Sequence, residues 1–200
     1  MARTIDPARH QARRLQIIDA ALTRFAHDGF DRATITAICR TAGIGSGTFF
    51  HYFPTKQAVL LAVLDLGATE TSEWFDRQRD RADPLQVIVD YVAYQAAALN
   101  DPRVAGFTRA VGAVMGDEEV ADALAREEAV VQRGLLPWIR ATAERGEVRQ
   151  DQPPERLAVW LALLLDGYVG RICASAQFDP DAEKEMLLDT VGRLLGASSP

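Results

Sequence analysis

Within the stretch 45–53, Gly-Ser-Gly-Thr-Phe-Phe-His-Tyr-Phe, small residues and hydroxyls come first and rings follow. Hydroxyls, an imidazole and a slim glycine backbone are groups that hydrogen-bond phosphates and base edges. Gly45, Ser46 and Gly47 keep the start of the segment narrow enough for its backbone to approach a nucleic acid. Phe49 and Phe53 are four apart and can face inward as anchors. Ser46, Gly47, Thr48, Phe50, His51 and Tyr52 are then left to face a groove or its flanking phosphates.

Other chemistries find little support. No G-x-S-x-G elbow, H-E-x-x-H pair or Cys-x-x-Cys pair occurs. The Gly43-Ile-Gly-Ser-Gly47 cluster lacks the spacing of a nucleotide loop. His10, His27 and His51 are scattered along the chain, so no metal or other cofactor is expected. Cys39 and Cys173 read as small apolar residues. Asp117-Glu118-Glu119 reads as helix-start charge and Glu127-Glu128 as a solvated face.

The charge is unevenly placed. Over 200 residues the net is −6, yet residues 1–60 hold eight basic and four acidic side chains. The remainder holds fourteen basic and twenty-four acidic ones. A basic head on an acidic body points to a polyanion partner for the head alone. The first fourteen residues carry four arginines and no apolar stretch, unlike a secretory signal. The longest apolar run, Leu157 to Leu165, is too short to span a bilayer, so a cytoplasmic protein with no membrane partner is expected.

Helical periodicity dominates, with no sustained alternation and no repeat, which predicts an all-α fold. Leu15, Ile18, Leu22 and Phe25 share one face of a first helix near 8–28, stopped by Gly29. Thr34 caps a two-turn helix that Gly43 ends. A short segment follows, then Pro54 and Thr55 open a helix reaching about Arg79. Further helices are expected near 84–99, 103–115, 118–144, 154–174 and 181–195, with Pro137 kinking or splitting the long one. Two short helices joined by a tight glycine turn make a helix-turn-helix, the minimum DNA-reading unit. The expected division is a three-helix DNA-binding head over 1–56 and a helical ligand-binding and dimerisation domain over 57–200.

The same residues resemble a known family. Gly29-Phe30, Thr34-Ile35, Ile38, Ala42-Gly43-Ile44, Gly47-Thr48, Phe49-Phe50-His51-Tyr52-Phe53 and Lys56 are similar to the DNA-binding head of the tetracycline-repressor (TetR) family. Ile17-Ile18-Asp19-Ala20-Ala21-Leu22 fits its first helix. The resemblance implies a dimeric, ligand-responsive transcriptional regulator, most often a repressor, bound to a double-stranded operator. It implies DNA contacts from Thr34, Thr36, Gly45, Ser46, Gly47, Thr48, Phe50, His51 and Tyr52, and a phosphate-binding role for Lys56. Three departures stand out: Gly45 replaces a common serine, Ser46 a frequent basic residue and Phe50 a usual tyrosine. Each loss costs ~1 kcal/mol per subunit. Arg3 and Arg9 on an N-terminal arm could compensate in a minor groove.

For the body, two stripes are candidates for pairing subunits into a homodimer. One is Ala158, Ala162, Leu165 and Val169; the other is Leu187, Leu188, Val191, Leu194 and Leu195. Tyr91, Tyr94, Phe107, Met115, Trp138 and Trp160 are the expected lining for an unknown small-molecule effector. The alternative reading is a small-molecule-binding helical protein whose sequence-specific DNA binding is weak or lost. No pattern supports an enzyme.

Overall fold

The computed structural model describes residues 6–175 and 177–196, and among them there are nine α-helices and no strand. Arg3, one of the two arginines expected on the N-terminal arm, lies outside the described residues. By packing the chain divides into two compact units. The first runs up to Gly67 and takes in Ala105–Leu124; the second holds Ala68–Val104 and the chain from Ala125 onward. The division passes inside helices, the first time between Gly67 and Ala68.

In the first unit, α1 (Pro7–Asp28) starts where the Asp6 carboxylate accepts from the Ala8 amide at 3.0 Å. It stops at Gly29, whose φ of 76° lies in the region open to glycine. Thr34 caps α2 (Ile35–Ala42) by accepting from the Ala37 amide at 3.1 Å. Gly43, left-handed at φ 62°, closes it, and the Ile44 amide then reaches back to the Cys39 carbonyl at 3.0 Å. α3 (Ser46–Tyr52) follows the end of α2 after three residues. α4 (Lys56–Asp76) begins with Thr55 accepting from the Ala58 amide at 3.0 Å. Ile17, Ile18, Phe25, Ile38, Phe49, Phe53, Val59 and Leu60 make the core of this unit. α6 (Val104–Gly112) packs so closely on α1 that a Cβ at Gly106 would overlap the Ala26 carbonyl.

In the second unit, α5 (Pro84–Ala98), α8 (Pro154–Ala174) and α9 (Pro180–Leu195) pack against one another. Their core joins Val87, Ile88, Tyr91, Leu157, Leu161, Leu165, Val191 and Leu195 to Leu135 and Ile139 of α7 (Glu118–Glu144). Pro137 neither ends nor divides α7. Having no amide hydrogen, it leaves the Arg133 carbonyl without its helical donor. α8 is long and apolar enough, by length and composition, to cross a membrane. Its Leu157, Leu161, Leu165 and Tyr168 are instead buried in the core of the second unit.

Candidate nucleic-acid interface

Phe49 and Phe53 are buried, at 0% and 4% exposure, and fasten α3 to the core of the first unit. That anchoring turns the rest of the helix outward. Gly45, Ser46, Gly47, Thr48, Phe50 and His51 are all exposed, Phe50 at 54%. The Phe50 ring meets the buried Phe49 ring edge-on, with centres 5.5 Å apart, and leaves the rest of its apolar surface exposed. Gly45 stands at the N-cap without a side-chain hydrogen bond, as its residue type dictates. Thr34 and Thr36 are exposed at the start of α2, with the Thr34 oxygen already engaged as the cap.

Tyr52 is half-buried, and its ring lies 4.6 Å from that of His10 on α1. His51 closes the group, 6.1 Å from His10. The histidines that look scattered in sequence therefore include two that α1 and α3 bring side by side. Among the described residues no group of three metal-ligating side chains forms. Arg14, one turn beyond His10, lies over the Phe53 ring at 5.4 Å. The i, i+4 spacing of His10 and Arg14, leading into the buried Ile17 and Ile18, was the available signal that this face of α1 meets α3.

Lys56 is placed differently from the phosphate ligand expected of it. Its ammonium donates to the carbonyls of Phe30 at 2.6 Å, Ala33 at 3.1 Å and Asp31 at 3.2 Å. It also sits 4.3 Å from the Phe30 ring centre. An ammonium has three donors, and all three are occupied by the turn between α1 and α2. Lys56 pins that turn to the start of α4. Beyond it, Gln57 bonds the carboxylates of Asp117 at 3.0 Å and Glu119 at 2.8 Å within the same unit.

The expected effector-lining residues do not form one group. Phe107 and Met115 belong to the first unit, Phe107 against its core and Met115 exposed at 56%. In the second unit Tyr91 is buried, with its ring tilted against Phe75 at 4.6 Å and edge-on to Trp74 at 5.3 Å. Tyr94 stacks on Trp74 at 5.7 Å. The Thr71 hydroxyl lies beside the Tyr91 hydroxyl, which nonetheless lacks a partner in hydrogen-bonding geometry. Burial pushes the phenol well above its ordinary range. Trp138 is half-buried, and Trp160 is exposed on α8.

Two further expectations are refined. Glu127 is half-buried while Glu128 is exposed, and Glu127 lies on the stripe of α7 that carries Val131 and Trp138, both packed on the second core. Burial first, and then the Asp166 carboxylate, push its carboxyl above the usual range. On α8 and α9, Ala158, Leu165, Leu187, Val191 and Leu195 are buried in the core of their own unit. Ala162, Val169, Leu188 and Leu194 are half-buried. The outward stripe is one residue further along α8: Val159 and Leu163, exposed at 50% and 52%, followed by Gly167 and Gly170. Both halves of each helix are apolar, so spacing alone could not tell the inner stripe from the outer one.

A helix-turn-helix anchored by buried aromatics, with an exposed second helix, defines the class of DNA-binding regulators. Comparison with known proteins narrows the class. Residues 17–63 match the family of bacterial regulatory proteins called tetR. Residues 95–196 match the C-terminal domain of BetI-type transcriptional repressors. The HTH-type transcriptional repressor Rv1474c of Mycobacterium tuberculosis is 28% identical over 82% of this chain and 83% of its own length. The repressor AcnR of Corynebacterium diphtheriae is 24% identical over 94% of both. A TetR regulator from Haloarcula marismortui shares the fold, with a TM-score of 0.80 and 18% identity over 93% of this chain and 97% of that one. The chain belongs to the TetR family of DNA-binding transcriptional regulators, with the C-terminal domain of a repressor. A helical binder that has lost its DNA reading is not the favoured description.

Proposed function

We propose that two copies of this chain, in the bacterial cytoplasm, set their α3 helices in successive major grooves of one operator. The observation that carries this reading is the outward surface from Gly45 to His51, held by the buried Phe49 and Phe53. Ser46, Gly47 and Thr48 present backbone and hydroxyl to bases or phosphates, and Phe50 presents an apolar face suited to a thymine methyl. Thr36, Arg9 and the exposed Arg40 of α2 supply backbone contacts. The pairing face is the Val159, Leu163, Gly167 and Gly170 stripe with Met186 of α9, because exposed apolar surface beside small residues favours close helix packing. It must hold the two readers about 34–36 Å apart.

An effector in the second unit releases the operator by favouring a conformation in which that spacing is lost. A ligand that prefers the released form ~100-fold shifts the balance by about 2.7 kcal/mol. Selecting bound fragments from genomic DNA identifies the operator, and a salt titration on that fragment tests the reading. With roughly eight phosphates contacted per dimer, log affinity falls against log salt with a slope of about −7. Equal affinity for the selected fragment and for random DNA overturns the proposal.

A further inference from the structure

In the second unit, the end of α4 and the middle of α7 enclose a cleft of about 460 Å³, within the range of small-molecule sites. Its apolar walls are Phe75, Pro137, Trp138 and Ala141, and its polar rim includes Arg79 and Arg133. Gly134 is part of its lining. A Cβ there would overlap the Phe75 ring, so the ring lies directly against the α7 backbone. Phe75 is fixed from behind by Tyr91 and Trp74, with ring centres at 4.6 and 5.1 Å, which gives the cleft a firm aromatic floor.

The rim charges are unequal. Arg79 is paired with Asp76 at 2.7 Å. Arg133 has no ion-pair partner among the described residues, so the rim keeps an excess positive charge. An unpaired guanidinium beside aromatic walls matches a planar apolar body carrying a carboxylate, which the guanidinium holds with two parallel hydrogen bonds. We propose that this cleft binds an aromatic or similarly flat organic anion, with Arg133 on its carboxylate and Phe75 and Trp138 against its body. The proposal names the chemistry of the effector and so deepens the repressor reading, but its binding test is independent of DNA.

The probes are 2-naphthoate and its neutral counterpart 2-naphthylmethanol, titrated calorimetrically into the full chain. We expect one naphthoate per chain, and the alcohol at least ~10-fold weaker, a difference of about 1.4 kcal/mol. Arg133→Gln brings naphthoate down to the affinity of the alcohol and leaves the alcohol unchanged. Ala141→Trp, which fills the cleft, abolishes binding of both while circular dichroism shows the helices intact. Equal affinity for acid and alcohol, or naphthoate binding untouched by Arg133→Gln, overturns the site. Naphthoate that binds as expected yet leaves operator affinity unchanged upholds the cleft and places the controlling effector elsewhere.

Discussion

Lys56 shows how one residue type serves two chemistries. A lysine at the start of a helix is well placed for phosphate, yet here its charge is enclosed by the carbonyls of Phe30, Asp31 and Ala33. Charge-assisted bonds of this kind contribute ~1.5–3 kcal/mol where partly buried. Lys56→Met keeps the stem over Phe30 and removes only the ammonium. The variant is expected to lose about 2 kcal/mol, a fall in Tm of roughly 4–8 °C by calorimetry for a chain of this size. An unchanged Tm with weakened DNA binding would return Lys56 to the role of a phosphate ligand. Motif order locates this residue well, but which donors it has left is a question of tertiary geometry that only the folded turn answers.

At the scale of elements, α7 joins two features that work against a simple helix. Pro137 forgoes one backbone bond, and half-buried Glu127 has its carboxyl pushed above the usual range by burial and then by the Asp166 carboxylate. Because its folded-state carboxyl holds a proton more tightly than an open chain does, Glu127 favours the fold below the ordinary carboxylate range. That contribution is lost as pH rises through the elevated value. Glu127→Gln is therefore expected to raise Tm at about pH 7 and to match the parent at about pH 4. A Tm difference independent of pH would remove Glu127 as the titrating group. Helix ends were legible in the sequence wherever a residue type dictates them: Thr34, Gly43, Thr55 and the prolines at 84 and 154 mark them as read. The head was legible for the same reason, since Phe49 and Phe53 have one way to be buried together. Faces of the apolar α8 and α9 were not, because inner and outer stripes have the same composition. Glu127 was misread because a charged pair on a helix is usually solvated, and nothing local reports a neighbour on α8.

At the scale of the whole molecule, the proposed pairing of two chains uses an exposed stripe of α8, one residue removed from the buried one. Leu163→Asp places a charge on that stripe and leaves the inner Leu161 and Leu165 untouched. Sedimentation should then report a single chain with a parental far-UV spectrum and operator affinity reduced ~100-fold or more, since two linked readers lose their shared effective concentration. A Leu163→Asp variant that still sediments as a pair would move the interface off α8. One consequence of the carbonyl cage remains. The chain holds two lysines, Lys56 and Lys184, and only Lys56 has its amine enclosed by backbone oxygens. Acylation of Lys56 requires its amine to leave the three carbonyls, so labelling at that residue reports opening of the turn before α2.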